Sequence, residues 1–160
     1  MSLKQEFELL RQVPIFADIE PAKLKLLAFM SERVGFDPGK RLMQQGDSAD
    51  AAYLIIEGHA EVILETNAGP VTVATLGPNV LVGESGILGD VPRNATVRAK
   101  DRLIALRISK EPFMRMVREF PSMAVSIMQE LAQRVDRTNH QLSAALAEVK
   151  RLREEAGIAA

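Results

Sequence analysis

From Ser122 to Ala156 the chain runs for 35 residues without a proline or a glycine. Nothing in that stretch breaks a helix, and Pro121 before it suits a first helical turn. A helix of that length would span about 50 Å. The 120 residues ahead of it can build one body with a radius of gyration of about 14 Å. The helix must therefore overhang that body, and its apolar residues need cover from elsewhere. Numbered by sevens, Val135, Leu142 and Val149 share one core position, a, while Leu131, Thr138, Ala145 and Leu152 share the other, d. β-Branched residues at a favour two parallel strands. The expectation is a homodimer joined through this helix, with Glu148 at g facing Arg153 at e of a second copy. The alternative is an amphipathic helix folded back on its own body. Thr138 and Ala145 weaken the seam and Leu146 widens it, as that alternative would have. Between residues 130 and 155 five bases meet five acids, so this is no basic arm for nucleic acid.

The body ahead of it changes period. Phe7, Leu9 and Leu10 precede VPIFADIEPAKLKLLAFMSER, where Pro21 suits a helix start and Leu24, Leu27, Ala28 and Met30 fall near one helical face. From about Val34 to Ser109 short apolar runs alternate with turn formers such as Pro38, Gly39, Gly46 and Asp47. AYLIIEGHAEVILET is two such runs joined at Glu57–Gly58, a hairpin. VTVATLG follows the break at NAGP, and ATVRA and RLIALRIS flank Lys100–Asp101. The predicted class is α+β: an antiparallel, jelly-roll-like β-roll flanked by N-terminal helices and a long C-terminal helix. Residues 1–120 would form the roll with its helices, and 121–156 the long helix. Ser109 is the expected N-cap of the helix in SKEPFMRMVREF. Met114, Met116, Met123 and Met128 read as adaptable core filler at the helix junction.

Composition works by exclusion. A net charge of -1 gives no protein-wide attraction to nucleic acid or anionic lipid. The absence of cysteine removes disulfides, thiolate metal sites and cysteine nucleophiles. The start MSLKQEFELLRQVP lacks the apolar core of a leader peptide, and no run approaches a membrane span. A cytoplasmic protein away from membranes is the expectation. His59, on a predicted strand, and His140, on the far helix, do not make a metal centre. No Ser-His-Asp arrangement, P-loop or dinucleotide fingerprint appears. Neither an enzyme nor a bound metal or cofactor is expected.

One stretch is left unexplained by folding alone: GESGILGDVPRNAT, residues 83–96. Read as a strand end entering one helical turn, Gly83-Glu84-Ser85-Gly86 exposes unpaired N–H groups and lets an anion approach the backbone. Arg93, brought back by the chain, adds a fork for phosphate. Glu84 accepts hydrogen bonds only, so it suits hydroxyls. Together they describe a site for a sugar phosphate. The plainer alternative is that Glu84 favours a helix start and Arg93 pairs with Asp90 at the surface.

The same stretch resembles the phosphate-binding cassette of cyclic nucleotide-binding domains, through Gly83, Glu84, Pro92, Arg93, Ala95 and Thr96. Upstream, Phe36, Pro38, Gly39, Gly46, Asp47, Tyr53, Ile55, Gly58 and Val62 are similar to that family's earlier strands. The likeness covers about residues 13 to 120. It implies that Glu84 meets the ribose 2′-hydroxyl and Arg93 the cyclic phosphate, with backbone N–H groups around Gly86 and Asn94 completing the cradle. The implied ligand-binding set is Gly83, Glu84, Ser85, Gly86, Pro92, Arg93, Asn94 and Ala95, and the ligand is cAMP or cGMP. The family pattern departs at Val82, where Phe is usual, at Ser85, where a large aliphatic residue is usual, and at Gly86, where Ala is common; Asn94, directly after the arginine, offers both donors and acceptors and leaves cAMP and cGMP both open. The base is expected against the long helix between Arg134 and Gln141. The function implied is a cyclic nucleotide sensor that signals through that helix. In related regulators a DNA-reading domain follows such a helix. Here the sequence stops at EEAGIAA, and no direct DNA binding is expected. The alternative is a roll that has lost its ligand and serves only to dimerise or to hold a partner.

Overall fold

The run Ala51-Ala52-Tyr53-Leu54-Ile55 is buried at every position, although strand side chains alternate between two faces. Both faces of that strand must then be covered. One face, through Ala51, Tyr53 and Ile55, packs between two sheets with Leu42, Val97, Leu103 and Ala105. The other, through Ala52 and Leu54, joins Leu106 and Ile108 under a helical layer that contributes Phe16, Leu24, Leu27, Phe113 and Met123.

The computed structural model describes residues 2–158. Helices α1 (Leu3–Arg11) and α2 (Pro21–Met30) flank a 3-10 turn at Pro14–Phe16. Strands β1 (Glu32–Phe36), β2 (Arg41–Met43), β3 (Ala51–Glu57), β4 (Ala60–Thr66), β5 (Gly69–Leu76) and β6 (Leu81–Val82) follow. Helix α3 (Glu84–Gly89) interrupts the roll before β7 (Thr96–Ala99) and β8 (Leu103–Ser109). Helices α4 (Lys110–Glu119) and α5 (Pro121–Glu155) close the chain. The strands form two antiparallel sheets, ordered β1-β8-β3-β6 and β2-β7-β4-β5. This is the α+β roll with its long terminal helix.

Several local expectations need correction. His59 is not on a strand: it occupies the β3–β4 turn, where its N–H donates to Asp101 Oδ1 at 2.7 Å and its Nδ1 lies 2.8 Å from Oδ2. Hydrogen bonding from His59 holds the Asp101 carboxyl below its usual pKa. Ser109 occupies the N-cap of α4 but caps nothing; its hydroxyl accepts from Arg107 Nη1 at 3.0 Å instead. Met30 is exposed on α2, whereas Leu24, Leu27 and Ala28 are buried. Met116 and Met123 are core residues, but Met128 is 61% exposed.

Helix α5 is anchored by Met123 and Ile127 and then leaves the roll. From Val135 onward every described residue is exposed. Met128, Val135, Leu142, Val149 and Leu152 are all exposed apolar residues. With Met128 in the a register, the apolar stripe begins one heptad earlier than Val135. Glu148 is engaged by Arg151 on its own helix.

Candidate functional site

Strand β6 is followed by Gly83, the N-cap of α3, whose φ of +92° only glycine adopts without strain. A Cβ there would stand 2.8 Å from Arg93 Nη1 and 2.8 Å from Met43 Cε. A Cβ on Gly86 would stand 2.8 Å from the Ala49 Cβ. The two glycines therefore let the start of α3 come close to Arg93, Met43 and Ala49. Glu84 occupies the first position of α3 and is buried, with 6% of its surface exposed.

Arg93 is equally buried, at 5%. Its Nη1 donates to the Gly83 carbonyl at 2.6 Å, and its Nη2 to the Ala51 carbonyl. Asp50 Oδ1 lies 3.7 Å from Nη2, and the same carboxylate accepts from Arg107 at 3.1 Å. Those two carbonyl bonds use two of the five guanidinium N–H donors. Burial lowers the Arg93 pKa from its usual value, while the nearby carboxylates of Asp50 and Glu84 oppose that shift. The arginine's backbone is clamped as well: its N–H donates to Asp47 O at 2.7 Å, and its carbonyl accepts from Gly46 at 2.8 Å. Thr96 accepts from the Gln45 N–H at 3.0 Å, which fixes the same loop. The motif's threonine thus serves the frame, not the cavity. The surface alternative fails: Arg93 is not paired with Asp90, which binds Lys110 at 3.1 Å.

Glu84 and Arg93 open into one cavity of about 660 Å³. All eight residues expected from the sequence, Gly83, Glu84, Ser85, Gly86, Pro92, Arg93, Asn94 and Ala95, line it. Its opposite wall is apolar, from Val62 on β4 and Ala74 and Leu76 on β5. Helix α5 supplies a third side through Ile127, Arg134, Thr138 and Gln141. Chemically the cavity offers a cation for an anion, a carboxylate for hydroxyls and an apolar wall for a flat ring. Sequence reading missed the link between these parts. Arg134 Nη2 donates to Glu84 Oε1 at 2.7 Å, so the long helix already touches the carboxylate. A contact across 50 residues leaves no local periodicity to read. The carbonyl partners of Arg93 carry no side-chain signature at all.

Comparison with known proteins gives the site its context. The family model for the cyclic nucleotide-binding domain matches residues 33–120. A cAMP-dependent protein kinase regulatory subunit of Yarrowia lipolytica is 35% identical over 108 residues, covering 68% of this chain and 28% of that protein. A CRP-like cAMP-activated global transcriptional regulator of Mycobacterium tuberculosis is 25% identical over 137 residues, covering 85% of this chain and 61% of that protein. The chain spans less than two thirds of either relative's length. Among solved structures, the Catabolite Activator Protein of Thermus thermophilus superposes with a TM-score of 0.72 at 27% identity, over 82% of this chain and 62% of that one. The sensor domain of the transcriptional regulator DNR from Pseudomonas aeruginosa reaches 0.77 over 86% of this chain and 93% of that domain. Its 22% identity speaks to the fold. The matched span holds the whole segment from Gly83 to Thr96 and more than half of the chain, and the chain belongs to the cyclic nucleotide-binding domain family.

Proposed function

We propose that this chain is a cytoplasmic, non-enzymatic regulatory module that captures cAMP or cGMP and signals through α5. The observation that carries this reading is the burial of Glu84 and Arg93 in one cavity that also has an apolar wall. The cyclic phosphate meets Arg93 and the backbone N–H groups around Gly86 and Asn94. The ribose 2′-hydroxyl donates to Glu84. Gly83, Ser85, Pro92 and Ala95 shape the loop around them. The base lies along Val62, Ala74 and Leu76 and faces α5 between Arg134 and Gln141.

A ribose hydroxyl and Arg134 then draw on the same carboxylate. Ligand entry changes what holds α5 at Arg134, and that difference between free and bound states supplies the switching free energy. Residues 1–120 act as the sensor and 121–156 as the output. The exposed stripe on α5 supports a parallel homodimer, since apolar residues at this spacing form a coiled-coil seam.

Calorimetry of the full chain with cAMP and with cGMP tests the reading. Saturable binding of one or both at micromolar concentration is expected. No heat with either at millimolar nucleotide would overturn it in favour of a roll that only dimerises. The existing Arg134–Glu84 bond favours that second reading to the extent that it already satisfies the carboxylate.

A further inference from the structure

The bonds from Arg93 to the Gly83 and Ala51 carbonyls leave a second N–H on its Nη2 without a carbonyl partner. Beside it stands a carboxylate that stops short. Asp50 Oδ1 lies 3.7 Å from Nη2, farther than an ordinary N–H···O bond by roughly 0.8 Å. The strand pair explains the gap. In the antiparallel register of β3 and β8, Ala51 stands opposite Ser109 and Tyr53 opposite Arg107. The Lys110 N–H extends that ladder by donating to the Asp50 carbonyl at 2.9 Å. The Asp50 backbone is thereby fixed, and its carboxylate moves only by turning the side chain.

Arg107 and Ser109 are two apart on β8 and share one face. Arg107 Nη1 donates to Ser109 Oγ at 3.0 Å, and its Nη2 reaches Asp50 Oδ2 at 3.1 Å. With 26% of its side chain exposed against 70% for Asp50, Arg107 is the fixed partner and the carboxylate the one that follows it. Neither residue lines the cavity. A phosphate and a carboxylate compete for the same guanidinium donors. Closed onto Arg93, Asp50 would take the remaining Nη2 N–H and set a second negative charge against the phosphate. Bonded to Arg107, it does neither.

We propose that Arg107 is a positioning residue that draws Asp50 away from Arg93 and so keeps the arginine fork open for the ligand's phosphate; this rests on the cyclic nucleotide reading of the site. The test is calorimetry of the full chain with cAMP and cGMP for wild type, Arg107→Gln, Asp50→Asn and the double variant, with the Tm of each recorded. Arg107→Gln frees the carboxylate and should weaken binding roughly fivefold. The double variant has no carboxylate to close, so its affinity should return to that of Asp50→Asn. Asp50→Asn alone should bind at least as tightly as wild type. If Arg107→Gln does not fold, Ser109→Ala, which removes the arginine's second bond, should weaken binding roughly twofold in the wild type and not in the Asp50→Asn background. A double variant as weak as Arg107→Gln, or an Arg107→Gln that binds like wild type, would overturn the inference. An Asp50→Asn weaker than wild type would also overturn it, by making Asp50 a support of Arg93 and not its competitor. A wild type that binds neither nucleotide would overturn the cyclic nucleotide reading beneath it.

Discussion

Replacing Glu84 by glutamine keeps the shape of the side chain and removes its charge. The residue is buried, and its Oε1 accepts from Arg134 at 2.7 Å. A hydrogen bond to a charged acceptor contributes about 1.5–3 kcal/mol, a neutral one about 0.5–1.5 kcal/mol. The 2′-hydroxyl bond should therefore weaken by about 1–1.5 kcal/mol, or roughly 5- to 12-fold in Kd. Weakening the Arg134 bond acts the other way, because the free state then holds the side chain less firmly. Arg134 has 42% of its side chain exposed, so solvent screens that bond and the offset is small. The assay is a calorimetric cycle of wild type and Glu84→Gln against cAMP and 2′-deoxy-cAMP. Wild type should lose roughly 10- to 150-fold on removal of the hydroxyl, and the variant clearly less. Equal sensitivity to the hydroxyl in both proteins would remove Glu84 from the ribose.

Three further outcomes follow from single contacts. Gly83→Ala imposes about 1–2 kcal/mol of left-handed strain and drives a methyl against Arg93 Nη1; a lower Tm together with weaker nucleotide binding is expected, and an unchanged Tm would contradict the geometry. Leu142→Asp sets a carboxylate in the exposed stripe of α5, whose apolar residues are proposed to face a second copy. Sedimentation equilibrium should show a dimeric wild type and a monomeric, folded variant, and a dimeric variant would move the interface elsewhere. Asp101 has its pKa depressed by His59, so the stability that pair gives is present above the ordinary aspartate value of about 4 and is lost as pH falls through the depressed pKa. Asp101→Asn should lower Tm at pH 7, with the gap to wild type closing below pH 4; a gap that stays constant across that range would exclude the carboxylate as its cause.

The roll was legible where strands alternate, as from Ala60 to Glu65, and where a glycine joins two apolar runs, as at Gly58. It was less legible in β3, because burial on both faces erases the period of two. Strand β6 is two residues long and shows no period at all. The cassette was legible because its chemistry is local: Glu84 and Arg93 lie within one short segment. What completes the site is not local. Ala51 contributes a carbonyl, Asp50 a charge to a turn made 43 residues later, and Arg134 a contact from the far helix. Met128 misled for a related reason. Its apolar side chain suits a core, but its place on the helix turns it outward, in register with Val135 and Leu142.

The most direct test of the account is the affinity of cAMP for the wild type and for Arg93→Ala, measured by calorimetry with Arg93→Lys beside them. The arginine is buried and tied to Gly83 and Ala51, so the Tm of each variant is recorded to separate lost folding from lost contact. Removing one side of a buried charge pair costs about 2–5 kcal/mol, which is roughly a 30- to 5,000-fold rise in Kd. Lysine keeps the charge but not the fork, so it should recover only part of that loss. The expected order of affinities in folded proteins is wild type above lysine above alanine. A folded Arg93→Ala that binds cAMP within a few-fold of wild type would place the phosphate elsewhere and contradict it.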